Sequence, residues 1–290
     1  MKPPSIPHHK LPRHGLTNKQ WRKVAHFFTR KETRGAKPRI QRRFLVHAIF
    51  WILRTGAPWR DLHPHFPNWK TVYHYFREWT TKGLLSRIYA QLLLERHNAG
   101  TLDHSQWNVD STINRVHKAA CGARKQEGIN HDLGRSKGGL TTKIHFLTEA
   151  KGIVLGFVLS PGQAHDCPLL FETLDSALIK KLPEQKKLKP ERLVGDKGYD
   201  SRANRRRSRQ RGIEPVIAHK AKRRSKKDQG KPTRGRPTHF DKEVYKRRHV
   251  IENTIGHLKE FRRLAFRFEK LSTSYKGMIF LANIERLLRS

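Results

Sequence analysis

Acidic side chains are scarce in this 290-residue chain. Asp and Glu number 24 against 62 Lys and Arg, a formal net charge of +38. Such a field repels itself unless a polyanion screens it. Nucleic acid is the expected partner, because each phosphate met by Lys or Arg releases counterions. An anionic membrane surface is the alternative, but the charge is spread along the chain rather than gathered on one amphipathic helix. Cysteine is nearly absent as well. Cys121 and Cys167 are the only two, so no cysteine-based zinc pattern can form, and reduced thiols in a cytosolic protein are expected. Long apolar runs are missing. The longest, "FLVHAIFWIL" at 44–53, is too short to span a bilayer. The first fourteen residues are rich in Pro and His and lack the apolar centre of a signal peptide. The eighteen histidines include "PHH" at 7–9 and "HPH" at 63–65, neither with helical ligand spacing.

What is present divides near Gly100. Residues 1–16 read as a flexible basic tail, and 17–100 as a helical region. Thr17 is a candidate N-cap. "PRIQRRFLVHAIFWILRTG" opens with Pro38 near its first turn and stops at Gly56. "NWKTVYHYFREWTTKG" runs from a cap at Asn68 to Gly83, and a further helix closes at Gly100. Five of the six Trp lie here, and the sixth is Trp107. Short helices around an aromatic core suggest a helix-turn-helix-like unit, with 68–82, carrying Lys70 and Arg77, as its recognition helix. Beyond Gly100 the texture turns to strands. "SQWNVDST" at 105–112 is the first, with Asp110 at its end. "GLTTKIHFLTE" and "GIVLGFVLSPG" form a hairpin. A helix from "HDCPLL", with Asp166 as N-cap or, alternatively, a fourth acidic residue, is followed by the strand and turn "ERLVGDKGYDS", a basic helix, a strand at "IEPVIAH" and two final helices. The order β-β-β-α-β-α-β-α-α predicts a mixed sheet flanked by helices, which is also the order of a ribonuclease-H-like core. The catalytic domain is therefore expected over 101–290, interrupted by a basic loop at 219–240 too poor in apolar residues to offset its ordering entropy.

With carboxylates so few, their positions carry information. Asp110 and Asp196 fall at the ends of strands expected to be neighbours, and Glu252 lies on the helix that follows the last strand. Apolar spacing at Val244, Ile251, Ile255 and Leu258 predicts one helix over 240–262. At ~100° per residue, Tyr245, Arg248, Glu252 and Lys259 share an arc of about 60° beside the core stripe. Glu252 with Arg248 one turn away is also an ordinary helix pair, Asp110 can cap a turn with Ser111 and Thr112, and Asp196 can be a turn residue. Three convergent carboxylates call for a divalent cation; Mg²⁺ accepts such hard oxygen ligands. Two ions about 4 Å apart can activate a water or a 3′-hydroxyl for in-line displacement.

The stretches "WNVDSTINRVHKAACGARK", "GRSKGGLTTKIH", "PGQAHDCPLL", "VGDKGYDSRANRR" and "YKRRHVIENTIGHLKEFRRLAFRFEK" resemble the DDE transposases of bacterial insertion sequences, in the group typified by insertion sequence five, among relatives of insertion sequence four. The last stretch fits that group's pattern of Tyr, two residues, Arg, three residues, Glu, six residues, Lys at Tyr245, Arg248, Glu252 and Lys259. The resemblance implies a catalytic and metal-binding triad of Asp110, Asp196 and Glu252 on a ribonuclease-H-like fold. It implies two Mg²⁺ ions, with Mn²⁺ able to substitute. It places Tyr245, Arg248 and Lys259 on DNA phosphates; Lys197, Lys70 and Arg77 are added here as further DNA contacts. The implied partners are double-stranded DNA, as element ends and as target, and a second copy of the chain in a synaptic homodimer. Neither a membrane nor a small-molecule substrate is implied, and the implied location is the bacterial cytoplasm at the nucleoid. Some relatives carry a β-rich insertion between the second Asp and the Glu, with a Trp that serves a hairpin pathway. Here that segment is basic, and no Trp follows Trp107. Rival readings are a structure-selective nuclease of the same fold, a catalytically inert DNA-binding protein, and a recombinase using Tyr245 covalently.

Overall fold

The structure, a computed structural model, describes residues 14–28, 40–122, 131–182, 185, 187–219 and 240–290. The expected tail, apart from its last residues, the start at Pro38 and nearly all of the basic loop lie outside the described residues.

Among the described residues four α-helices come first, and local residues set several of their ends. Helix α1 (Asn18–Val24) begins at Thr17, whose hydroxyl accepts from Gln20 N while the Gln20 side chain receives Thr17 N–H. Helix α2 (Arg42–Thr55) stops at Gly56, with φ at 73°, a left-handed turn that suits glycine. Asn68 caps α3 (Trp69–Thr81) by accepting from Lys70 N, and α4 (Leu84–Asn98) follows directly.

The strands are β1 (Gln106–Val116), β2 (Gly134–Ser136), β3 (Gly139–Glu149), β4 (Val154–Pro161), β5 (Arg192–Gly195), β6 (Glu214–Ile217) and β7 (Phe266–Arg267). They form one sheet whose main run is β4-β3-β1-β5-β6; β4, β3 and β1 are antiparallel, while β1, β5 and β6 are parallel. Helices α5 (Leu170–Asp175) and α6 (Arg202–Gln210) connect the later strands. Helices α7 (Lys242–Lys246), α8 (His249–Lys259), α9 (Arg262–Ala265) and α10 (Ser272–Arg289) complete the chain. This is a ribonuclease-H-like mixed sheet with flanking helices, preceded by an all-α region. The two parts share one apolar core. Helix α10 packs against both α3 and α4, and the Tyr89 hydroxyl of α4 donates to Val154 O of β4.

Three local expectations change. Strand β1 does not end after Asp110 but runs to Val116, because β3 pairs with it from Trp107 to Arg115 and β7 joins at Arg115 and Val116. The single helix over 240–262 is broken. Arg247 N and Arg248 N reach back only three residues, to Val244 O and Tyr245 O, and this tighter turn separates α7 from α8. Strand β7, only two residues long, has no pattern of its own and exists through its pairing with β1. Fully buried Arg267 fixes it there by donating to Thr142 Oγ1 of β3 at 2.6 Å.

Candidate active site

Parallel pairing of Val109 with Gly195 ends the β1–β5 ladder and leaves Asp110 and Asp196 as the next residues of adjacent strands. Asp196 turns the chain by accepting from Gly198 N at 2.9 Å, and Asp110 Oδ1 accepts from Ser111 N at 2.8 Å. Helix α8 packs across β1. Arg248, in the break before α8, donates through Nη1 to Asp110 Oδ2 at 2.9 Å and through Nη2 to Glu252 Oε1. The ordinary one-turn pair of Arg248 with Glu252 is therefore present, but the same guanidinium also binds a carboxylate on the sheet.

Electrostatics record the crowding. Burial pushes the Asp110 carboxyl above its ordinary value, the charges of Asp196 and Glu252 push the same way, and Ser111 N–H and Arg248 oppose them. Burial works against the Arg248 charge, yet Asp110, Glu252 and Tyr245 outweigh it and raise its pKa.

A fourth carboxylate stands nearby. Asp166 makes no side-chain cap bond to the turn it precedes, which corrects the reading of it as an N-cap. Its Oδ1 instead accepts from Ser111 Oγ at 2.9 Å and from Lys143 Nζ at 3.0 Å, and lies 3.6 Å from His145 Nδ1. A Cβ on Gly198 would stand 2.9 Å from Asp196 Oδ1 and 3.1 Å from Asp166 Oδ2, so the bare glycine lets both carboxylates close on one turn. Tyr199 is fully buried beside them. Its phenol is pushed well above its usual range, first by burial and then by Asp166, Asp110 and Asp196. Burial, with Lys143 adding to it, holds His145 down at about 4 despite Asp166. Asp110 and Ser111 leave opposite faces of β1, so the carboxylates flank the strand: Asp110 with Arg248 on one side, Asp166 with Lys143 on the other. Sequence reasoning offers Asp166 as a candidate fourth acidic residue but prefers the cap, and it misses Lys143 and His145. The trace of the group is Lys143 and His145, two apart on β3 and therefore on one face.

The other expected residues lie around this centre or away from it. Tyr245 is on α7, packed on Phe240 and on the cluster of Val194, Val216 and Val244, with the Arg248 guanidinium 5.6 Å from its ring centre. Lys197 is exposed in the turn after Asp196, and Lys259 is exposed at the end of α8; partial burial lowers the Lys259 pKa. Because of the helix break, Tyr245 does not continue the α8 stripe. Lys70 and Arg77 sit on α3. Lys70 is exposed, whereas Arg77 is turned toward α10, where it donates to Ser274 Oγ.

The donor set is carboxylate oxygen drawn from β1, the β5 turn and α8, which suits a hard divalent ion such as Mg²⁺ or Mn²⁺. Among the described residues, no three His, Cys, Asp or Glu side chains gather closely enough to hold one, and Arg248 bridges two of the three carboxylates.

A family model described as "Transposase DDE domain" matches residues 103–284, and one described as "Putative transposase of IS4/5 family" matches residues 16–89. The chain belongs to the DDE transposases of bacterial insertion sequences. Two relatives carry that family's name. The "Putative transposase for insertion sequence element IS402" of Burkholderia cepacia is 35% identical over 130 residues, 44% of this chain and 54% of that protein. The "Putative transposase for insertion sequence element IS6501" of Brucella ovis is 32% identical over 143 residues, 49% of this chain and 95% of that protein. The transposase thus spans about half the length of the first and nearly all of the second. The catalytic domain of Mos1 mariner transposase aligns with a TM-score of 0.32 at 14% identity, over 70% of this chain and 90% of that one.

Proposed function

We propose that this transposase binds the terminal inverted repeats of its element, hydrolyses phosphodiester bonds at the element ends, and joins the freed 3′-hydroxyls to target DNA. The carrying observation is that one guanidinium, Arg248, draws Asp110 of β1 and Glu252 of α8 together beside Asp196 of the β5 turn. Three carboxylates contributed by three elements repel one another as they approach unless a cation offsets them. Arg248 supplies that cation in part, and the donor set fits the rest. Asp110, Asp196 and Glu252 are the residues that would hold Mg²⁺, as two ions, or Mn²⁺. Metal bound there supplies activation of a water or a 3′-hydroxyl and stabilisation of the leaving oxygen. Arg248 keeps Asp110 and Glu252 oriented toward each other, and its charge suits a phosphate entering between them. Tyr245, Lys197 and Lys259 extend the phosphate-binding surface, while Lys70 and Arg77 on α3 contribute DNA contacts from the region 17–100. Residues 101–290 form the catalytic domain in this reading, and two copies pair when two ends are synapsed.

The test uses a labelled DNA end carrying the repeat that flanks the gene, with Mg²⁺ present or chelated. Wild type is expected to nick and join this DNA only with metal, and Glu252→Gln to lose both products while still binding. Cutting without joined products would indicate a nuclease of the same fold. Binding without any cutting, in Mg²⁺ and in Mn²⁺, would indicate an inert DNA-binding protein.

A further inference from the structure

Helix α6 reads RANRRRSRQ, five arginines in nine residues with no acidic side chain. These arginines, with Arg211 just beyond them, divide by face. Arg207 and Arg211 lie over the Phe171 ring, 4.3 and 4.8 Å from its centre, and Arg211 also pairs with Asp175. Arg202, Arg205, Arg206 and Arg209 stand on the outer side and line an open hollow of about 490 Å³. Arg205 is braced there, donating to Asp200 Oδ1 and to Ile217 O. Arg202, Arg206 and Arg209 are exposed.

The helix keeps this outer stripe against its own electrostatics. Arg202 and Arg206, like Arg205 and Arg209, stand one turn apart, where like charges repel. Arg202 also sits in the first turn, where the helix dipole disfavours a cation. A row of phosphates removes both penalties, and each guanidinium can meet a phosphate through two N–H groups at once. The length fits as well. From Arg202 to Arg209 is about 10 Å of helix, the axial span of about three phosphates of one DNA strand. The stripe is also fixed to the catalytic turn. Asn204, buried on the inner side of α6, donates to Tyr199 O and to Cys167 O, each at 2.9 Å. The helix starts at Arg202, six residues after Asp196, which is at most about 20 Å of extended chain.

We propose that the outer stripe of α6 holds the phosphate backbone of the target duplex, the DNA into which the element is joined, and leads it away from Asp196. The proposal rests on the transposase reading and adds which DNA lies on this face. The hollow is lined by four arginines and Gln210. Phosphate contacts made by such cations carry no base information. An element end has a fixed sequence that a protein can read, whereas the target sequence changes with each insertion. A face dominated by phosphate-binding cations therefore suits the target.

The test uses the full chain carrying Arg202→Gln, Arg206→Gln and Arg209→Gln together, with Arg205 spared because it braces Asp200. Binding to labelled duplexes without the repeat, one A·T-rich and one G·C-rich, is measured against salt in the absence of metal. The slope of log affinity against log salt is expected to fall by about 2.7, and affinity at about 0.1 M salt by roughly 10²-fold, alike on both duplexes. Arg206→Gln alone is expected to lower the slope by about 0.9, and it decides the matter if the triple variant does not fold. With Mg²⁺, joining of a pre-cut element end to either duplex is expected to fall by about tenfold or more. Nicking of an element end with a short flank is expected to stay near the wild-type rate. An unchanged slope overturns the proposal. So does a loss confined to the G·C-rich duplex, which would put the arginines on guanine edges, and so does an equal loss in nicking, which would put the element end on this face. Wild type that binds DNA but neither nicks nor joins overturns the transposase reading, and the target assignment with it. Wild type that nicks and joins, with a triple variant that joins as well, removes the α6 proposal alone.

Discussion

Asp166 is preceded by His165 and followed by Cys167 and Pro168, a local pattern that suits a helix cap. Its contacts lie elsewhere, with Ser111 on β1 and with Lys143 and His145 on β3. Lys143 is 8% exposed and also donates to Ala164 O at 2.7 Å, so its ammonium is held in the interior chiefly by Asp166. Removing one partner of a largely buried pair leaves the other charge uncompensated, at a cost of roughly 3 kcal/mol. Lys143→Met is expected to show that loss in urea unfolding. Adding Asp166→Asn removes the stranded charge and should restore about a third of it or more. Single effects that simply sum in the double variant would show that the two side chains are not coupled.

Between elements, a histidine ties the chain's entry to its helical layer. His47 of α2 is 4% exposed and accepts Leu16 N–H through Nε2 at 3.0 Å, which requires a neutral ring. Burial first, then the neighbouring Arg43 charge, hold its pKa down at about 4, in keeping with a ring nitrogen that accepts a hydrogen bond. The folded value is lower than the unfolded value, so as pH falls the unfolded chain takes the proton first. The stabilisation is complete above about 6.5, is lost as pH falls from there toward 4, and weakens by about 1.4 kcal/mol per pH unit for each such group. His145 adds a second contribution of the same sign. Urea melts at pH 7 and pH 5 should therefore show a steep loss, with His47→Gln removing close to half of it; a variant as steep as wild type would contradict the assignment. The anchors of this layer are readable in the chain, because Thr17, Asn68 and Gly56 act on backbone groups within a few residues. The break between α7 and α8 is not, because the apolar spacing of 240–262 continues across it. What diverts the chain there is packing of Tyr245 toward β5 and β6 and the reach of Arg248 to Asp110, both long-range. The same limit separates Asp110 and Asp196, placed by neighbouring strands foreseeable from element order, from Asp166, placed by side chains on two other strands.

Over the whole molecule, an excess of 38 positive charges is not consumed by internal pairing. The outer surface of α6 shows this locally: Arg202, Arg205, Arg206 and Arg209 line one shallow hollow, and of these only Arg205 has an ion pair with a carboxylate among the described residues, with Asp200. Such a surface is stabilised when phosphates replace its counterions, and each contact formed makes binding more sensitive to salt. With six to ten phosphates engaged, duplex affinity should fall by roughly 10³ or more between 50 and 200 mM monovalent salt. Lys259→Gln, which removes a single exposed cation at the end of α8, should lower the slope of log affinity against log salt by about one. It should do so on duplexes of any sequence, since a phosphate contact carries no base information. A shallow slope in wild type would mean that the cations are not spent on phosphates. A steep slope unaffected by Lys259→Gln would place the duplex on the α6 surface or elsewhere, away from the end of α8, and would separate the DNA path from the carboxylate centre it is proposed to serve.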